Sequence, residues 1–205
     1  LQKNTNDLVL ATHGRGIIII DDISPLREIS DESLSKKLYF FEDDEYIISD
    51  LGGFADSFGR ETQFFGPNSS LNAQIKYLLP KRHTFGKMTM EIFDDNGKLV
   101  TKLSPGKSKG MNFVTWNYRM KQPKVAKGKT LARGGLSSPR VKEGQYDIVI
   151  TKGKDSFTKS IYVSDDPNTD LDSDEKKLKI DTTMKLYNLS EELAYVVYTI
   201  DEILS

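Results

Sequence analysis

The chain has 205 residues, no cysteine, 29% charged residues and a formal net charge of −1. Those totals allow one large or two small domains with a modest core, and they exclude disulfides, thiolate catalysis and thiolate metal sites. They supply no overall basic field to hold a nucleic-acid backbone, and no window offers the ~18 uninterrupted apolar residues of a membrane span.

The chain opens Leu1-Gln2 without a methionine, as a fragment or processed product would, so the lack of a signal peptide carries little weight. Asp7 to Thr12 and Gly16 to Asp21 read as two strands around His13-Gly14-Arg15. Ile17 to Ile20 are β-branched and suit a strand buried on both faces, as inside a large sheet. Two strands cannot bury such a surface alone. The main sheet is therefore expected upstream, outside this sequence. Ser24 reads as the cap of a short helix with Pro25 at its first position. Leu38 to Phe41 is a short apolar strand or a tucked-in segment. Asp50 to Asn72 reads as an irregular wrapping loop, rich in glycine and phenylalanine.

Residues 72–167 read as one small antiparallel β-sandwich. Ala73, Ile75, Tyr77 and Leu79 share one face of its first strand. Met88, Met90 and Ile92 then alternate with Thr89, Glu91 and Phe93. Asn96-Gly97 supplies the positive-φ positions of a tight turn before Lys98 to Leu103 returns. Gly110 to Tyr118 sets Met111, Phe113 and Thr115 against Asn112, Val114 and Trp116. Gly144 to Ile150 and Ser156 to Val163 make a second hairpin, with Gly153 and Lys154 in its turn. Residues 121–142 interrupt the sandwich as a long basic insertion. Asp165-Asp166-Pro167 closes it.

From Leu171 to Ser205 the pattern turns helical. Leu186, Leu189, Leu193, Val196 or Val197, Ile200 and Ile203 or Leu204 recur every three or four residues. No stop signal precedes the last residue, as in a helix cut short. The expected organisation is closing strands over 1–29, a linker over 30–71, the sandwich over 72–167 and a helical segment over 168–205.

Several of these anchors, in this order, resemble one known arrangement. Asp7 to Gly16 followed by Asp21-Asp22-Ile23-Ser24-Pro25-Leu26 is similar to the closing strands of secreted bacterial BNR/Asp-box β-propeller proteins of the sortilin-like, glycosyl-hydrolase-like type. Gly66-Pro67-Asn68 through Tyr77-Leu78 resembles the linker and strand that follow the propeller there. Asp95 to Val100, Asn112 to Asn117, Gly144-Gln145-Tyr146 and Asp166-Pro167 resemble that family's immunoglobulin-like sandwich, and also the one in flagellar hook-capping proteins. The resemblance spans nearly the whole chain. It implies a mainly β fold: an Ig-like antiparallel sandwich, preceded by closing strands of a β-propeller and followed by a C-terminal α-helix. The Asp-box itself (Ser-x-Asp-x-Gly-x-Thr-Trp) is absent, and the family's aromatic in the Ile17 to Ile20 run is isoleucine here. Because the propeller body is expected outside this sequence, no ligand-binding or glycosidase-like residue of the family can be placed on it, and fold analogy alone does not supply chemistry.

Each candidate site has a plainer structural reading. His13-Gly14-Arg15-Gly16 has the glycines and charge of an anion-binding turn, but no helix N-terminus follows, and a hairpin between buried strands accounts for it. His13 and His83 are too far apart in sequence to show a metal spacing. Asp43, Asp44 and Glu45, the pair Asp165 and Asp166, and the run Asp170, Asp172 and Asp174 are candidate calcium ligands. The last run has Glu175 where an EF-hand loop needs glycine and Asp181 where it needs glutamate, and reads better as a solvated acidic cap for the helix. Asp21 and Asp22 are adjacent on a strand, so they point to opposite faces and cannot flank one glycosidic bond. Glu91 and Asp147 are expected to face solvent. Trp116 with Phe113 and Tyr118 would make a sugar platform, but a lone strand tryptophan fits a core plug better. Lys121, Lys124, Lys127, Lys129, Arg133, Arg140 and Lys142 lack interleaved aromatics for gripping a polyanion. No residue is accordingly expected to be catalytic, cofactor-binding or metal-ligating.

With no convergent acid, base, nucleophile or metal set, the chain is expected to be a non-catalytic accessory and interaction region of a secreted, periplasmic or cell-surface protein. Its partner would be the upstream propeller or another chain, with glycan contact as a further possibility. Two alternatives stand beside this. One is the C-terminal part of a sialidase-like glycan hydrolase. The other is a structural subunit docking through the Leu186 to Leu204 helix, whose apolar face would then be buried.

Overall fold

The computed structural model describes residues 6–14, 16–42, 45–48, 72–125, 138–167 and 172–204. Strands dominate, and a long helix ends the chain. β1 (Leu8–Thr12) and β2 (Gly16–Ile20) pair antiparallel, with Leu8 opposite Ile20 and Thr12 opposite Gly16. Gly14 turns the hairpin at φ 108°, a conformation that glycine adopts without a Cβ clash. Among the described residues no third strand joins this pair.

α1 (Ser24–Arg27) has Ile23 as its cap residue, without a side-chain cap bond, so Ser24 is the first helical residue rather than the expected cap; Pro25 lies in the first turn, where the missing N–H is not needed. α2 (Asp31–Ser35) opens on a reciprocal cap: the Ser33 backbone N–H donates to Ser30 Oγ, and the Ser30 N–H donates to Ser33 Oγ. Next come β3 (Tyr39–Phe40), β4 (Tyr46–Ile48), β5 (Ala73–Leu79), β6 (Met88–Asp94), β7 (Leu99–Leu103), β8 (Gly110–Trp116), β9 (Gly144–Lys152) and β10 (Asp155–Asp165). α3 (Ser173–Leu204) completes the chain. Among the described residues no helix is long and apolar enough to cross a membrane.

Two sheets form the body, ordered β4-β10-β9-β6-β7 and β3-β5-β8. Both expected hairpins are present, β6 with β7 and β9 with β10. In the first turn only Gly97 takes positive φ, at 72°, whereas Asn96 does not. The Asp94 carbonyl accepts from Gly97 N–H at 2.9 Å, and the register of β6 against β7 shifts between Ile92 and Phe93. The turn thus resolves into a bend plus a bulge rather than two left-handed residues.

The segment expected to be a linker contributes to both sheets. β3 pairs with β5, and β4 pairs with β10. The second pairing is parallel, with Tyr46 opposite Val163, so the body is not wholly antiparallel as expected. Parallel pairing is possible because the chain between β4 and β10 is long enough to cross over.

The inner faces of the two sheets share one core. Met90, Ile92, Ile148 and Ile150 come from the larger sheet, and Ile75, Tyr77, Leu79, Val114 and Trp116 from the smaller. Trp116 packs edge-on against Tyr146 at 5.8 Å between ring centroids, and its Nε1–H donates to the Arg119 carbonyl at 3.1 Å. β5 is buried on both sides, because Lys76 and Leu78, on its second face, are covered too. α2 packs against β5, and Phe41 N–H donates to the Lys76 carbonyl at 3.2 Å; Pro25, Ser33 and Phe41, from the segment between β2 and β4, are buried.

Candidate functional site, a cleft under the C-terminal helix

A concavity lies where the base of the basic insertion meets α3. Val141 N–H donates to the Tyr118 carbonyl at 2.7 Å, and Met120 N–H donates to the Pro139 carbonyl at 2.9 Å. These bonds flank an antiparallel bridge between Arg119 and Arg140 and hold the two ends of the insertion together. The Arg119 guanidinium donates to the Ser138 carbonyl.

α3 begins on its own cap. The Asp172 carboxylate accepts from the N–H groups of Asp174 and Glu175 at 2.9 and 2.8 Å. Glu175 in turn accepts from Asp172 N–H at 3.3 Å. Lys176 then reaches Asp165 at the end of β10 at 3.3 Å, and Glu191 accepts from Lys124 N–H at 3.3 Å. Between these two ties a cavity of about 910 Å³ remains, lined by Ile48, Val100 and Met120 of the body and by Met184 of α3. Lys98, Arg119, Arg140, Lys142, Lys176 and Lys179 surround it, against Asp94, Asp165 and Asp181.

Several of those cations already serve the protein. Arg119 holds Ser138, Lys176 holds Asp165, and Arg140 and Lys179 also have partners. The cleft is the seam along which α3 meets the body, an apolar floor with a basic rim. Among the described residues no group of three or more acidic or histidine side chains could hold a metal ion.

The other candidate residues separate. Arg15 of the His13 turn lies outside the described residues. There the Thr12 hydroxyl donates to the Gly16 carbonyl at 2.8 Å, within an exposed hairpin. His83 sits in the β5–β6 connection, where its N–H donates to the Lys107 carbonyl. Asp43, Asp44, Lys127, Lys129, Arg133 and Asp170 are also outside the described residues, and Glu45, Lys121 and Lys124 are exposed. Asp166 is buried beside β4, donating its N–H to the Ile48 carbonyl at 3.2 Å. Glu91 is half-buried and paired with Lys102 at 2.6 Å, while Asp147 accepts from the Ser160 hydroxyl at 2.6 Å. Trp116 and Tyr118 are buried whereas Phe113 faces out, so these three make no platform.

The polar contact that sequence reading missed is Lys76 with Asp22. Their side chains are only 9% and 25% exposed, and the pair ties the exit of the β1–β2 hairpin to the middle of β5. Asp22 sits at positive φ, 45°, and also accepts from Ser24 N–H at 3.1 Å. Burial pushes its carboxyl up, but the bonds from Lys76 and Ser24 outweigh this and hold it below the ordinary aspartate range. Asp21, its neighbour, is exposed. Farther inside, burial pushes the phenols of Tyr77 and Tyr146 up to about 12, even though each donates to a backbone carbonyl. No family model, curated protein or solved structure matches this chain.

Proposed function

We propose that this chain is a non-catalytic accessory and interaction region of a secreted or cell-surface β-propeller protein. In this reading the two-sheet body is an immunoglobulin-like sandwich, and β1–β2 completes a sheet supplied by the propeller. The observation that carries the reading is the hairpin. Ile17, Ile18, Ile19 and Ile20 are 72%, 51%, 58% and 42% exposed, on both faces of a sheet with two strands. Apolar surface on both sides of a lone strand pair calls for additional layers. The Asp22–Lys76 pair fixes where the hairpin leaves the body, so it would present those isoleucines in a defined place.

A photo-reactive residue in place of Ile18, in cells that make the protein, tests this. The expected product is a cross-link to a strand of an Asp-box propeller, identified from the joined peptides. Cross-links confined to lipid or water would contradict the reading, as would glycoside or peptide cleavage that copurifies with the chain.

A further inference from the structure

α3 carries a second apolar face that the body does not use. Lys176, Ile180, Met184 and Tyr187 line the cleft. At 100° per residue, Leu189, Leu193, Val196, Ile200 and Ile203 lie nearly opposite them. With Leu186, which reaches the edge of the cleft, they follow at intervals of three, four, three, four and three residues. The six are between 49% and 78% exposed. That spacing is the heptad seam of a coiled coil, so its natural cover is another helix rather than a sheet.

We propose that the cover is α3 of a second copy of this chain, packed antiparallel. Leu186 then meets Ile203 of the second copy, Leu189 meets Ile200, and Leu193 meets Val196, so every apolar layer is filled by the same sequence read backwards. No charged residue occupies the seam. At its flank Glu192 faces Thr199 of the second copy, and no like charges meet. Antiparallel packing also holds the two bodies apart: the two Thr183 residues, which lie beside the cleft, are about 35 Å apart along the helices. Complete cover of the six residues removes about 1,200 Å² in total, the lower end of a stable interface. This inference rests on α3 alone and is independent of the hairpin reading.

Sedimentation equilibrium of the whole chain tests it. The wild type is expected to dimerise at micromolar concentration. Leu193→Glu is expected to weaken association at least about tenfold, with unchanged circular dichroism, because the site is exposed in the single chain. Mixing Leu193→Glu with Val196→Lys is expected to restore a heterodimer, since only the antiparallel register sets the two charges against each other. Ile18→Ser is expected to leave association unchanged. A wild type that stays monomeric overturns the proposal and leaves the stripe to a different helix or a lipid surface. A dimer that survives Leu193→Glu, fails to recover on mixing, or is lost with Ile18→Ser overturns it equally.

Discussion

The same side chain meets opposite fates in two parts of this molecule. Ile92, Ile148 and Ile150 sit in strands of the larger sheet and are fully buried, whereas Ile17 to Ile20 sit in a well-formed hairpin and are exposed. Both runs are in β conformation, which β-branched residues favour in either setting. Burial requires a second layer, and the body supplies one in β5 and β8 while nothing described covers the hairpin. α3 repeats the lesson, because a regular helix with apolar spacing gains little until another surface meets it.

Mutations and pH separate the two kinds of region. Trp116→Ala removes the largest buried side chain of the core, wedged between Tyr118 and Tyr146. A loss of about 3–5 kcal/mol is expected in chemical denaturation. Alkaline pH attacks the same core more gently. The folded state favours the neutral phenols of Tyr77 and Tyr146, so their contribution is complete below pH 10 and is lost as pH rises towards about 12. Tyrosinate absorbance should show a late phase that coincides with loss of the folded signal.

At the join between hairpin and body, Asp22→Asn is expected to cost about 1–3 kcal/mol by taking the counter-charge from the buried Lys76. The Asp22 carboxyl is depressed in the folded state. Its contribution is therefore present above the usual aspartate value of 3.8 and lost as pH falls through the lowered value. The Asn variant should show a flatter acid limb in a stability–pH profile. Ile18→Thr is expected to be the mildest change, within about 0.5 kcal/mol, despite the size of the residue it replaces.

The strands of the body were legible wherever alternation ran long enough. Ala73, Ile75, Tyr77 and Leu79, and Met88, Met90 and Ile92, announced their buried faces, and both point inward. β3 and β4 were not legible as strands of these sheets, because two and three residues are too short for a period and their partners are far along the chain. Lys76 looked like a polar position of a half-exposed strand. Its partner lies 54 residues earlier, at a distance that no local pattern reports. The cleft was illegible for the same reason, since its walls come from β4, β7, the insertion base and α3. By contrast, the acidic run before α3 was readable, because Asp172 and Glu175 have the spacing of a reciprocal helix cap.

Residue-resolved hydrogen exchange on the isolated chain tests most directly whether the body stands alone and the hairpin does not. Amides of β5, β6, β9 and β10 are expected to exchange only through global unfolding, and those of Leu8 to Thr12 and Gly16 to Ile20 through local opening many times faster. Protection of the isoleucine hairpin equal to that of β9 would contradict the account, because the hairpin would then be stable without a further layer.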